Sequence, residues 1–142
     1  MLAQSYARTY RSNAVLTASP GQLVLMLYDG ALRSLALARE AFDRSENDFR
    51  RIEVINRQLI KTQAIIAELQ GGLNFEEGGE VAATLNQLYE YYNRRLFAAN
   101  LHKQVAPVVE VERLLTELRD GWAEMLAKQG RPQGGEPVRS VA

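Results

Sequence analysis

The amino-acid sequence predicts an all-α protein: an antiparallel up-and-down four-helix bundle with an apolar N-terminal extension and a disordered C-terminal tail. Four long segments repeat apolar residues at spacings of three and four, the connections are short, and no segment alternates as strands do. The chain has 142 residues, which suits one domain with a single core. We divide it into an N-terminal capping segment at 1–18, a four-helix bundle domain at 19–130 and a tail at 131–142.

The composition excludes several functional classes. The 17 basic and 17 acidic residues cancel, so no overall field attracts nucleic acid or an anionic membrane surface. The chain has no cysteine, which excludes disulfides and thiolate metal sites. Its longest apolar run, at 23–28, is far shorter than the roughly 20 residues that span a bilayer. We therefore expect no nucleic-acid partner, no membrane insertion and no secretion signal.

The first predicted helix begins at a capping sequence. Ser19 accepts a hydrogen bond from the first turn, Pro20 suits the first helical position, and Gln22 completes a capping box. The helix runs to about Phe42. Its run at 23–28 is apolar on every side, which is more than one packing face needs. The question is what covers the remaining sides.

Three further helices follow at the same period. The second begins after Asp48, with Phe49 as its first apolar position, and Gly71-Gly72 ends it, because glycine at the position after a helix accepts the left-handed conformation without a clash. The third follows the connection "LNFEEGG" and closes near Asn100. The fourth runs from Pro107 to 130. These helices complete the predicted bundle.

The two ends of the chain differ in character. Residues 1–18 carry Tyr6, Tyr10, Val15 and Leu16 among polar residues. The spacing of these apolar residues is too irregular to predict a helix, but the segment is too apolar to be a tail that makes no contacts. Residues 131–142 combine glycine, proline and charge with little to bury, and so predict disorder.

The sequence gives little support for a catalytic site or a metal site. The single histidine, His102, has no glutamate three residues before it, as a di-iron bundle would require. A phosphotransfer histidine is an alternative, but its place at a helix end favours a residue that simply closes the helix. No glycine-rich phosphate loop and no nucleophile beside a base are present. The sequence therefore indicates no enzyme, no cofactor and no metal, and a function based on binding.

The stretch "TASPGQLVLMLYDGAL" at 17–32 resembles the signature of the flagellin-specific export chaperones, the FliS family. Tyr10 and Val15 precede it as in that family, and the similarity continues to Glu124. Asn74 stands where aspartate is more usual, and Gly121 stands where alanine is common. The latter exchange costs about 1 kcal/mol of helix stability.

The resemblance implies a cytoplasmic bundle that binds the C-terminal segment of flagellin, prevents its premature polymerisation and delivers it to the flagellar type III export gate. An amphipathic partner helix needs an apolar groove, which the surplus apolar residues would supply. The expected flagellin-binding groove comprises Tyr28, Ile55, Asn56, Ile60, Gln63, Ile66, Tyr91, Leu96 and Asn100. The expected N-terminal cap and export-gate contact comprises Tyr6, Tyr10 and Val15.

The aromatic residues leave alternatives open. Tyr28 fits a core position and a groove position equally well. Tyr89 and Tyr92 share a face with core leucines, which favours the core, whereas Tyr91 points elsewhere and is the better surface candidate.

The polar groove residues also leave alternatives open. For Asn56, Gln63 and Asn100 we expect hydrogen bonds to extended backbone, either of the partner or of the protein itself. A bundle that sequesters a transcription factor would use the same grooves, so an anti-sigma factor or another regulatory factor is a second candidate partner.

Overall fold

The structure, a computed structural model, describes residues 19–129. It contains α1 (Pro20–Phe42), α2 (Arg51–Gly71), α3 (Phe75–His102) and α4 (Ala106–Gln129). Helices consecutive in the chain pack together, and α4 packs back against α1 to close the ring. The short connections make neighbours antiparallel. The predicted all-α bundle is confirmed, whereas the N-terminal extension at 1–18 and the tail at 131–142 lie outside the described residues.

The start of α1 follows the predicted capping box. Ser19 is extended, at φ −68° and ψ 161°. Its Oγ accepts from the Gln22 amide at 3.2 Å, and the Gln22 side chain accepts from the Ser19 amide at 3.1 Å. Two amide groups that the first turn leaves without helical partners are therefore satisfied.

The start of α2 differs from the prediction. The carboxylate of Asp48 accepts from the Arg50 amide at 2.9 Å, which forms a turn, and the helix begins only at Arg51. Phe49 therefore lies outside the helix and is 85% exposed, and Ile52 is 49% exposed. The prediction that the second helix places Phe49 on its apolar face was wrong, because the Asp48 turn occupies the residues that would have formed its first turn.

The start of α3 also differs. Asn74 accepts from the Glu77 amide at 3.1 Å and caps a first turn that begins at Phe75. The helix kinks at Gly79, whose φ of 51° and ψ of −124° suit glycine. The segment "LNFEEGG" was predicted as a connection because of its glycines. Most of it instead forms the first turn of α3, joined to the rest at a kink.

The core has aromatic residues at its centre. Tyr28 of α1 and Tyr89 of α3 are both 2% exposed, and their hydroxyl groups are hydrogen-bonded at 2.5 Å. Tyr92 packs edge-on to Tyr89, with ring centroids 6.5 Å apart. The indole of Trp122 donates to the Gly21 carbonyl at 2.8 Å, which ties α4 to the start of α1. Tyr28, Tyr89 and Tyr92 are therefore core residues.

The position of α1 explains its surplus of apolar residues. It packs on α2 along one side and on α4 along the other. Most of the residues at 23–27 are half-buried rather than exposed. Neighbours on two sides thus cover most of the run, and the part near Pro20 lines a cavity described below.

Two glycine substitutions should change stability in opposite directions. At both Gly79 and Gly121 the space that a β-carbon would occupy has no neighbouring atom within 4 Å, so only the backbone matters. We expect Gly79→Ala to lower the free energy of unfolding by about 1–3 kcal/mol, because of its positive φ. We expect Gly121→Ala, within α4, to raise it by about 0.5–1 kcal/mol. Urea unfolding measures both, and changes of the same sign would contradict the argument.

The tyrosine cluster should make stability fall at alkaline pH. Burial raises the pKa of Tyr92 to about 12, and burial also raises the pKa of Tyr28 and of Tyr89 above their ordinary value of 10.0. A raised pKa means that the unfolded chain loses its protons first. The contribution of these tyrosines to the free energy of unfolding is therefore fully present below pH 10, and it is lost as the pH rises through their pKa values in the folded protein. Urea unfolding across this range should show a free energy that declines above about pH 10.

Removing one hydroxyl of the pair should be costly at neutral pH. We expect Tyr28→Phe to lower the free energy of unfolding by about 1–3 kcal/mol, because it leaves the Tyr89 hydroxyl buried without its partner. The double variant Tyr28→Phe with Tyr89→Phe should recover part of that loss. A double variant less stable than the sum of the single ones would contradict this account.

Candidate partner-binding site

A row of amide side chains joins α2 to α3 along one edge of the bundle. We call it the amide seam, and it consists of three pairs: Asn56 with Asn100, Gln63 with Asn93, and Gln70 with Asn86. The two outer pairs are bonded side chain to side chain at 2.8 Å. In the central pair each side-chain nitrogen donates to the backbone carbonyl of the other residue, both at 3.3 Å.

The seam follows from a seven-residue spacing on both helices. Residues seven apart return to nearly the same side of a helix, and they lie about 10.5 Å apart along its axis. The neighbouring positions Leu59 and Ile66 on α2, and Tyr89 and Leu96 on α3, are buried. The amides therefore lie at the boundary between core and solvent.

Exposed apolar side chains flank the seam. Ile60 lies four residues after Asn56 and three before Gln63, which places it between two amides on the outer side of α2. Phe97 occupies the equivalent place on α3, between Asn93 and Asn100. Ile60 is 53% exposed and Phe97 is 61% exposed. Exposed apolar groups gathered along one groove are typical of a binding surface.

The structure divides the predicted groove residues between the surface and the interior. Asn56, Ile60, Gln63 and Asn100 lie on or beside the amide seam. Four other members are buried in the core: Tyr28, Ile55, Ile66 and Leu96. A stripe of apolar residues shows which side of a helix faces inward, but it does not distinguish the centre of the core from its edge.

Tyr91 lies on a different edge of the bundle. Its hydroxyl donates to the carboxylate of Glu110 at 2.7 Å, and Arg95 binds the other oxygen of that carboxylate at 2.7 Å. Arg95, and then Tyr91, hold the pKa of the Glu110 carboxyl below its ordinary value. The structure therefore places Tyr91 in the contact of α3 with α4, away from the amide seam. Tyr6, Tyr10 and Val15 lie outside the described residues.

The polar groove residues do not bond extended backbone in this structure. Asn56 and Asn100 pair with each other, and Gln63 bonds the helical backbone at Asn93. Sequence reasoning missed Gln70, Asn86, Asn93 and Phe97. A signal was present, since asparagine or glutamine recurs every seven residues at 56, 63 and 70 and again at 86, 93 and 100.

A second feature is an apolar cavity at one end of the bundle. The cavity has a volume of about 180 Å³ and lies between the start of α1, the end of α2, the middle of α3 and Trp122 of α4. Pro20, Leu73, Leu85 and Trp122 are among its walls, and Tyr28 and Tyr89 also line it. The cavity is thus located where residue 19 leads into α1.

Residues 19–129 offer little support for other kinds of site. None of the helices there is long and apolar enough to cross a membrane. No three of the histidine, aspartate and glutamate side chains in this range are grouped so that they could hold a metal ion. His102 is exposed and is the last residue of α3, the position predicted for it.

Comparisons with known proteins agree on one family. The chain matches the family described as "Flagellar protein FliS" over residues 2–129. It is 36% identical over 135 residues to "Flagellar secretion chaperone FliS" of Bacillus subtilis (strain 168), covering 95% of this chain and 96% of the relative. The chaperone of the same name from Salmonella typhimurium is 36% identical over 126 residues, covering 88% and 90%. That from Escherichia coli (strain K12) is 39% identical over 124 residues, covering 87% and 88%. The chain therefore belongs to the FliS family of flagellar secretion chaperones.

Proposed function

We propose that this protein acts in the cytoplasm, where it binds the C-terminal segment of flagellin, prevents its premature polymerisation and delivers it to the flagellar type III export gate. The observation that carries the proposal is the exposed apolar flank of the amide seam, Ile60 and Phe97. A secretion chaperone needs a surface that binds a segment of its cargo before the cargo is fully folded. Amphipathic helices dock in grooves of this type.

The proposal predicts that the cargo folds as it binds. A disordered segment that becomes helical along the groove buries on the order of 1,000–3,000 Å² and gives a negative heat-capacity change. Mixing the protein with full-length flagellin should produce a complex that co-purifies and gains helical circular dichroism. Flagellin truncated at its C-terminus should not co-purify. Equal recovery of the two forms would contradict the proposed binding segment.

Replacing one exposed phenylalanine should weaken the complex. Phe97→Ala removes an aromatic group that flagellin would bury, so we expect affinity to fall about tenfold or more by isothermal titration. Phe75→Ala is the matched control, since Phe75 is 53% exposed and lies at the start of the same helix, 22 residues before Phe97. Both variants should keep the unfolding free energy of the parent. Equal loss of affinity in both would show that the seam is not the site.

We also propose a role for the N-terminal segment, with Tyr6, Tyr10 and Val15 as its contacts. In the absence of flagellin the segment covers part of the partner groove, and flagellin displaces it, which frees its tyrosines for the export gate. Two facts support this: the segment carries apolar and aromatic side chains among its polar ones, and an apolar cavity lies where it joins α1. A cover that must be displaced lowers apparent affinity by the fraction of time the groove is closed.

Removing residues 1–15 tests the cover. The truncated protein should bind flagellin as well as the full chain or better, while it binds more hydrophobic dye and self-associates. Tyr10→Ala should retain flagellin binding and weaken delivery to the gate. A truncated protein that stays monomeric, binds no extra dye and loses flagellin affinity would instead make the segment a direct part of the flagellin site.

A further inference from the structure

The turn between α1 and α2 presents one phenylalanine to solvent. Phe49 is 85% exposed, more than any other large apolar side chain of residues 19–129. Local bonds give this turn its shape: the Asp48 carboxylate accepts from the Arg50 amide at 2.9 Å, and the Asp48 amide donates to the Ser45 carbonyl at 2.9 Å. The Arg50 guanidinium lies over the Phe49 ring, 5.5 Å from its centroid. The ring therefore projects from a turn of defined shape, with a cation beside it.

The apolar cavity at the opposite end of the bundle has the size and the lining to hold such a ring. Buried Tyr28, Tyr89 and Trp122 form part of its inner wall. An apolar cavity of about 150 Å³ is large enough to bind benzene, and this cavity has a volume of about 180 Å³. Glu68 and Gly72 also line it and are exposed, so the cavity reaches the surface beside them.

The polar atoms of the inner wall already have partners. The hydroxyl groups of Tyr28 and Tyr89 are bonded to each other, and the indole of Trp122 donates to the Gly21 carbonyl. A water molecule needs several polar partners to occupy a cavity, and this wall offers few. An apolar ring instead gains the dispersion contacts that the lining of an empty cavity lacks. The cavity therefore favours an apolar occupant over water.

A pair of opposite charges accompanies the two features. Arg50 follows Phe49, and Glu68 lines the cavity at the surface. Neither forms an ion pair with another residue of 19–129. Phe49 lies just before α2 and Glu68 lies near its C-terminal end, so most of the helix, roughly 25–30 Å, separates them. A chain therefore cannot insert Phe49 into its own cavity, and this contact has to join two molecules.

We propose that copies of this chain associate end to end, with the Phe49 ring of one copy in the apolar cavity of the next and Arg50 of the first beside the Glu68 carboxylate of the second. Both halves of the contact are present on every chain, at opposite ends of the bundle. A heterologous contact of this kind produces open rows of molecules rather than closed dimers. The proposal is independent of flagellin.

The contact is expected to be weak. One turn in one cavity buries less than the roughly 1,200 Å² of a stable interface, so we expect a dissociation constant on the order of 0.1–1 mM. The N-terminal segment proposed above as a cover would compete with Phe49 for the cavity, which weakens the association of the full chain further.

Substitution of Phe49 tests the contact. In sedimentation equilibrium the average mass of the full chain should rise continuously with concentration up to about 1 mM, without a plateau at the mass of a dimer. Phe49→Ala should lower the association constant about tenfold or more, because it removes the ring that is buried on association. It should leave the free energy of unfolding unchanged, because the ring is exposed in the single chain.

Phe97→Ala is the matched control, since Phe97 is 61% exposed and lies on α3, outside the turn and the cavity lining. It should associate like the parent. A parent protein that stays monomeric would overturn the proposal. So would an association that Phe97→Ala weakens as much as Phe49→Ala does, since copies would then meet along the amide seam.

Two variants that each lack one half of the contact test the geometry. Phe49→Ala keeps the cavity, and Val24→Phe fills the cavity and keeps Phe49. Each should be monomeric alone, whereas their mixture should form one-to-one pairs that grow no further. Trp122 is the only tryptophan. Its indole N–H signal in ¹⁵N-labelled Phe49→Ala protein should therefore shift when unlabelled Val24→Phe protein is added.

Leu85→Phe fills the cavity from α3 and replaces Val24→Phe if that variant fails to fold. Absence of a shift with a folded cavity-filled variant would overturn the proposal, and so would a mixture that grows beyond pairs.

A charge exchange tests the orientation and needs no change to the cavity. Arg50→Glu and Glu68→Arg each place like charges together, so each should weaken association about two- to fivefold, as expected for an exposed pair. The chain that carries both substitutions restores opposite charges and should associate like the parent. A double variant that associates more weakly than either single variant would contradict the proposed contact of Arg50 with Glu68.

Discussion

The hydrogen bond between Tyr28 and Tyr89 joins the two helices that are diagonal in the bundle. α1 and α3 are not neighbours in the ring, so this buried pair sets how closely they approach across the centre. Each hydroxyl satisfies the other, which removes the penalty of burying it alone. Once the distance between α1 and α3 is set, α2 and α4 lie on opposite sides of this pair. The side chains along each contact between neighbouring helices then determine the chemistry of that edge.

The edges differ in chemistry. α4 is held to α1 by Arg39 with Glu112 and by Arg119 with Asp29, at 2.7 and 2.8 Å. It is held to α3 through Glu110. The edge between α2 and α3 has amides in place of ion pairs, and it has exposed apolar groups beside them. Every one of these edges is thus partly polar, but the polar groups that pair across the edge between α2 and α3 are neutral amides.

Most of the fold follows from the sequence, and the site follows in part. Helical periodicity and the Ser19 capping box predict the helices correctly, and the resemblance of residues 17–32 to the FliS family is confirmed by the comparisons. The starts of α2 and α3 were misplaced because local bonds of Asp48 and Asn74 override the apolar pattern. The site was harder to predict than the fold. Whether a position such as Ile66 or Ile60 faces the core or its rim depends on where the neighbouring helix packs, and the sequence of one helix does not specify this.

The neutrality of the amide seam has a consequence for the conditions under which it works. Amides do not titrate in the physiological range and carry no net charge, so counterions do not screen the bonds between two amides. The ion pairs of α4 are partly exposed, and their contribution weakens as ionic strength rises. A change in salt concentration therefore acts more strongly on the ion pairs of α4 than on the bonds between the paired amides of α2 and α3. The amide pairs therefore hold α2 to α3 in a way that is largely independent of ionic strength.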